Sequence, residues 1–232
     1  MTGTTKDGRA LSFKFYRQDP NDACGQNRGY VVRRVDALLD DRIVGYIKIS
    51  YLASELLPTY YPTVWHAFRA RGTCFDPDDL AETWVRCHHA RHMPESLQDS
   101  EVSLLGLQGH QPDEATMRAD LDALADKPFG CLNGQTPNEE LATLHKTADH
   151  AFVDFIRVNE RLHRQGIGTA LYNEGAKWLL REFGLMLHSS GLQSEEAAAT
   201  WEAMRLRGLY PVRQVPRIHD GKIVYALDYR SH

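Results

Sequence analysis

Ala151-Phe152-Val153-Asp154-Phe155-Ile156-Arg157-Val158 is a nearly unbroken apolar run, and shortly after it comes His163-Arg164-Gln165-Gly166-Ile167-Gly168-Thr169-Ala170. The first stretch reads as a central strand buried on both faces. The second reads as a short cationic turn whose glycines open a helix. A strand feeding a helix through glycines leaves backbone N–H groups unpaired and convergent, and the helix dipole adds partial positive charge there. Gly166 and Gly168 let an anion approach the main chain closely, while His163 and Arg164 add donors nearby. The arrangement suits a diphosphate. Taken alone, Gly-x-Gly after a strand is equally an ordinary tight turn.

The surroundings of this turn are regular. Thr169 to Phe183 has Leu171, Gly175, Trp178 and Leu179 on one helical stripe, and Gly184 stops it. Leu185 to Ser189 reads as the next strand. Ser194-Glu195-Glu196 caps a further helix that runs through Trp201 and Met204 to Gly208. Tyr210 to Val215 and Ile223 to Tyr229 read as strands joined around Asp220-Gly221.

Upstream, residues 1–10 read as a flexible lead-in. Leu11 to Tyr16 has alternating aromatics and strand character. A polar loop spans Gln18 to Gly29. Tyr30 to Leu39 and Ile43 to Tyr51 read as an antiparallel hairpin turning at Asp40-Asp41. From Leu56 to His150 the pattern is mainly helical. A short helix is expected at Thr63 to Arg71. Pro77-Asp78-Asp79, Pro112-Asp113-Glu114 and Pro137-Asn138-Glu139-Glu140 each open a helix, with a proline and early acids. Residues 52–148 are therefore taken as an acidic helical insertion or lid within a single domain spanning residues 1–232.

The chain has 232 residues, a net charge of −4 and 42% hydrophobic residues, ordinary values for a globular protein able to bury a sizeable core. The start lacks the apolar segment of a secretory signal, and no apolar run has membrane-span length. A cytoplasmic location without membrane attachment is expected. Cys24, Cys74, Cys87 and Cys131 contain no CxxC pair and read as reduced thiols. The negative charge is concentrated in the 52–148 block, which disfavours a nucleic-acid partner and mildly favours a cationic one. The plainer account of that block is solvated helix surface.

The segment from Ala151 onward resembles the GNAT family, the general N-acetyltransferase superfamily. The resemblance lies in the strand ending at Val158, the turn His163 to Gly166, and Gly166-Ile167-Gly168 opening a helix. The strand, helix and terminal hairpin that follow are similar too, so it covers about residues 150–230. The strands at 11–51 are compatible with it. A dinucleotide-binding turn is the rival. It needs a third glycine and an acid ending the next strand, where Leu187-His188-Ser189 stands.

The resemblance implies an α/β fold, with a mixed, mostly antiparallel sheet splayed at its centre and flanked by helices. It implies acetyl-CoA as acyl donor and direct transfer to a primary amine; the acidic 52–148 block favours a small cationic amine as that acceptor, with a protein amine next, and no metal is expected. A homodimer is left open. Cofactor contacts would come from Ile156, Arg157, Val158, His163, Arg164, Gln165, Gly166, Ile167, Gly168 and Thr169, with Ser190 on the pantetheine arm. An amide at Arg157 or Val158 would hold the developing oxyanion. A carboxylate raised by burial would take the amine proton. Asp154 is the first candidate, with a structural buried acid as the plainer reading, and Glu160 is the second.

Three departures stand out. His163 replaces the usual Gln or Arg. Only the loop 18–29 stands where the family places helices between its first strands. Met204 occupies the position of the family tyrosine that protonates the departing thiolate, leaving Tyr210 as a weak substitute. A non-catalytic acyl-CoA sensor or scaffold is therefore the alternative, with a cofactor-free interaction protein behind it.

Other groups weigh less. His88 and His92 share a helix face but lack a third ligand, so a polar helix surface is the better reading. Tyr60 to Trp65 could line an acceptor pocket or simply pack. His188 with Ser189-Ser190 lacks a GxSxG elbow.

Overall fold

The computed structural model describes residues 2–17, 30–60, 80–81, 84, 87, 113–129, 134–217 and 221–231. The loop 18–29, the helix expected at 63–71, the opening at 77–79, Cys24, Cys74, Cys131, His88, His92 and Asp220 lie outside them. So do the side chains of the Tyr60–Trp65 cluster. The chain divides into two compact units, Met1–Ala53 with Thr147–His232, and Ser54–Lys146.

The first unit is a mixed α/β layer. Its strands are β1 (Thr2–Thr4), β2 (Ala10–Tyr16), β3 (Tyr30–Leu39), β4 (Arg42–Leu52), β5 (Ala151–Val158), β6 (Leu187–His188), β7 (Val212–Pro216) and β8 (Ile223–Leu227). They form one open sheet in the order β1-β2-β3-β4-β5-β6-β8-β7. Only β5 and β6 pair in parallel; every other neighbouring pair is antiparallel.

Local chemistry accounts for the hairpins. Asp40 and Asp41 both have positive φ, 50° and 59°, the conformation a two-residue turn needs, and they join β3 to β4 as expected. The lead-in expectation is corrected. Residues 2–12 form a hairpin, with Thr4 opposite Ala10, turning through Asp7-Gly8 with Gly8 at φ 84°.

Four described helices exceed two turns: α1 (Glu114–Leu124), α2 (Pro137–Thr147), α3 (Ile167–Phe183) and α4 (Glu195–Arg207). The α3 stripe lies on the sheet as its spacing predicts. Leu171, Trp178 and Leu179 are buried, as are Val35, Ile47, Ile49 and Val153. A Cβ on Gly175 would stand 3.3 Å from Ile49 Cδ1, so glycine sets how closely the helix rides on β4. Phe15 packs on Trp178 with ring centroids 5.2 Å apart.

In the second unit, Asp113 caps α1 through the Thr116 N–H, and Met117, Leu121 and Leu124 are buried as the pattern predicts. Leu121, Leu124, Cys87 and Phe129 make a small core against which Leu80 and Trp84 pack. A reciprocal cap opens α2: Thr136 N–H donates to Glu139 Oε2 at 2.8 Å, and Glu139 N–H donates to Thr136 Oγ1 at 3.2 Å.

Candidate active site

The sheet comes apart between its two parallel strands. Strand β5 pairs with β6 only at Ala151–Leu187 and Phe152–His188. Beyond those pairs β5 continues to Val158 against β4, and among the described residues the edge from Val153 onward has no strand partner. This corrects the reading of β5 as buried on both faces. Ala151 and Val153 are buried, but Asp154, Phe155 and Arg157 are exposed. It also shortens the strand expected over 185–189. Past His188, Ser189 is held from the other side, donating its N–H to the Tyr225 carbonyl at 2.8 Å.

One lip of the opening is the far half of β5. Its register slips by one residue: Val153 pairs with Ile49 and Phe155 with Lys48, leaving Asp154 as a bulge. Asn159 N–H donates to the Val44 carbonyl at 2.8 Å. Because backbone groups alternate sides along a strand, Arg157 N–H and C=O also face β4. Those of Ile156 and Val158 face the opening. Of the amides expected to hold an oxyanion, that of Val158 therefore faces the opening and that of Arg157 faces β4. Asp154 is exposed, not buried as expected. Glu160 is exposed in the turn Glu160–Leu162.

At the end of this lip the glycine turn delivers α3. Gly166 caps the helix at φ 83°, a conformation that favours glycine. The α3 N-terminus has no side-chain cap and no acid in its first turn. Helices α1 and α4 have both. The leading N–H groups and the dipole of α3 are thus left for a ligand. Among the described residues, beyond its neighbours and its own helix backbone, no atom lies within 4 Å of where a Gly168 Cβ would stand, so the approach is open. Ile167 is buried at 1% exposure and anchors the turn, so it contributes only its backbone. Arg164 is exposed with φ 65°. His163 turns its ring back and donates Nε2–H to the Val158 carbonyl at 3.1 Å, supporting the lip.

The other lip is β6 and the loop into α4. Ser189 is buried, and its hydroxyl accepts the Tyr225 N–H at 3.1 Å and the Gln193 Nε2–H at 3.0 Å. Ser190 lies beside it with its Oγ accepting the Leu192 N–H at 3.2 Å, so its hydroxyl already has a loop partner. Glu196 opens α4. Backbone N–H donation and the Ser194 hydroxyl hold its carboxyl below the ordinary value, and the nearby His163 charge adds to this.

Tyrosines cluster behind this lip. Tyr172 of α3 packs on Trp201 of α4 at 4.7 Å, and burial pushes its phenol up to about 12. Tyr225 stacks on Trp201 with ring centroids 6.1 Å apart and donates its hydroxyl to Glu202 Oε2 at 2.9 Å. Arg205 and Tyr225 hold Glu202 down to about 2. Met204 is buried at 2% exposure. Tyr210 lies elsewhere, two residues before Val212, which pairs with Leu227, which in turn pairs with Leu187. That is the closed end of the splay, away from the glycine turn.

One residue beside the glycine turn went unread in the sequence. Lys6 N–H donates to the Gln165 carbonyl at 3.0 Å, and its Cγ lies 4.0 Å from where a Gly166 Cβ would stand. The signal was Asp7-Gly8, a hairpin dipeptide that ties the N-terminus down.

Among the described residues no group of three or more His, Cys, Asp or Glu could hold a metal ion, and no helix is long and apolar enough to cross a membrane. No curated protein and no solved structure matches the chain. The sequence model of the acetyltransferase (GNAT) family matches residues 78–203, just over half of the 232. The match begins inside the block read as an insertion and stops before the terminal hairpin, so it is placed earlier than the 150–230 resemblance. It contains β5, the glycine turn, α3 and most of α4, the parts that form the opening. The splayed sheet, the uncapped α3 terminus and this match agree: the chain belongs to the GNAT acetyltransferase family.

Proposed function

We propose that this protein is an acetyl-CoA-dependent N-acetyltransferase that passes the acetyl group directly to a primary amine. The observation that carries this reading is the combination of an uncapped, acid-free α3 N-terminus with an edge of β5 beside it that has no partner strand among the described residues. The first suits a diphosphate and the second suits the amide-bearing arm that follows it. Bound acetyl-CoA supplies an activated thioester carbonyl. Gly166, Ile167, Gly168 and Thr169 would offer backbone N–H groups to the phosphates, with Arg164 as counter-charge. The outward N–H groups of Ile156 and Val158 would orient the arm and meet negative charge developing on the carbonyl oxygen.

The acceptor must lose a proton to attack. Asp154, exposed at the bulge of β5, is the group proposed to receive it through water. Phe155, 48% exposed and 5.9 Å from Tyr46, gives the neighbouring surface an apolar floor. The preferred acceptor is a small cationic amine, with a protein amine second. CoA release over a panel of amines tests the proposal. Turnover with any amine supports it. Tight acetyl-CoA binding with no turnover favours the sensor reading, whose one support is buried Met204 at the position of the family tyrosine.

A further inference from the structure

The N-terminal hairpin is fastened to the glycine turn by the Lys6 N–H bond to the Gln165 carbonyl, and its own loop is held by several internal hydrogen bonds. Thr5 is buried, donating its N–H to the Arg9 carbonyl at 2.9 Å, and Gly8 N–H donates to the Thr5 carbonyl at 3.0 Å. The Thr5 hydroxyl accepts the Arg9 N–H at 3.0 Å and also bonds Asp7. Asp7 and Arg9 form an ion pair at 3.0 Å, so these two charges cancel locally. The Thr5 hydroxyl, and then Arg9, hold Asp7 below the ordinary carboxylate value.

Lys6 is what remains. Its backbone is tied to Gln165, its stem passes Gly166, and its exposed ammonium forms no ion pair among the described residues. With its main chain already fixed beside the turn, Lys6 adds no backbone ordering cost when an anion arrives, only that of its side chain. We propose that Lys6 is a phosphate contact for the acyl donor, so that the N-terminal hairpin forms one wall of the cofactor site. The proposal rests on reading the glycine turn as the acetyl-CoA diphosphate cradle, and its chemistry is an ammonium on a phosphate oxyanion.

The test is calorimetric titration of the full chain with CoA and with dephospho-CoA, for wild type, Lys6→Gln, Lys6→Arg and Gly166→Val. Lys6→Gln is expected to weaken CoA about tenfold, the usual worth of one charge-assisted hydrogen bond. Lys6→Arg should recover most of the loss, and Lys6→Gln should flatten the salt dependence of binding. A loss that persists with dephospho-CoA places the contact on the diphosphate. A loss seen only with CoA places it on the ribose phosphate. Either supports the proposal. Unchanged CoA affinity in Lys6→Gln, while Gly166→Val abolishes binding, overturns the Lys6 contact and leaves the cradle standing. Absence of CoA binding by wild type at millimolar concentration overturns both.

Discussion

The Arg157 carbonyl oxygen lies 2.8 Å from where a Cβ on Gly45 would stand, with the Val158 Cα and Cγ2 each at 3.3 Å. Glycine is therefore what allows β4 to lie close under the lip of the opening. Gly45→Ala must push backbone away from backbone, since no flexible side-chain end can yield. The expected cost is about 1 to 3 kcal/mol of stability. Because the displaced peptide joins Arg157 to Val158, the KM for acetyl-CoA should rise as well. Urea denaturation and steady-state kinetics check the pair of effects. A variant with lowered stability and unchanged KM would detach Val158 from the cofactor site.

Gly166 and Gly168 should behave in opposite ways. Gly166 has φ 83°, so Gly166→Ala adds strain of about 1 to 2 kcal/mol and disturbs the cradle. Gly168 has open space around its Cβ position and lies inside the first turn of α3. There alanine should leave the melting temperature unchanged or raise it, since helix propensity improves by up to about 1 kcal/mol. Thermal melts of the two variants, run side by side, separate the backbone requirement from the helix requirement.

His188 makes the protein acid-sensitive in a defined window. Burial lowers its pKa from 6.5 to about 4, with His150, Arg213 and Arg230 adding repulsion and Asp228 opposing it. The folded value lies below the unfolded one, so the unfolded chain takes up the proton first. Stability from this residue is complete above pH 6.5 and is lost as pH falls toward about 4. The loss should reach roughly 2 to 3 kcal/mol. His188→Gln should flatten that segment of the stability–pH curve. An equally steep curve in the variant assigns the sensitivity elsewhere.

Asp154→Asn tests the proposed base with the bulge retained. The expected result is a fall in kcat of about a hundredfold, the lower range for loss of a general base. Acetyl-CoA affinity should be unaltered, because the bulge and the glycine turn are untouched. Normal kcat in this variant would move the proton acceptor to another group.

Periodicity and capping were legible wherever a segment's own residues decide its structure. Asp113 with Met117, Leu121 and Leu124, Ser194 opening α4, and the Leu171–Trp178 stripe all stand where their spacing put them. The splay was less legible, because it consists of hydrogen bonds that are missing between β5 and β6, and an apolar run looks the same paired or unpaired. The slip at Asp154 was hidden for a related reason: one extra residue in such a run leaves no mark on its composition. Tyr225 on Ser189 and Lys6 beside Gly166 are contacts between distant parts of the chain. Nothing local announces them.

Strands β4 and β5 are neighbours in the sheet, yet the whole Ser54–Lys146 unit lies between them in the chain. The path leaves and returns at nearly one point, for Asp149 N–H donates to the Leu52 carbonyl at 2.7 Å. During synthesis the β3–β4 hairpin can form from adjacent residues, but β5 must wait until the intervening segment has emerged. Closing so long a loop slows folding more than it weakens the product, since each doubling of length costs only about 0.6 kcal/mol. Until then β4 is an edge, and Ile47 and Ile49 lack both the strand beside them and the helix above. The lip of the opening can thus close only after β5 has been made, and until then the β4 edge has no β5 to cover it against other chains.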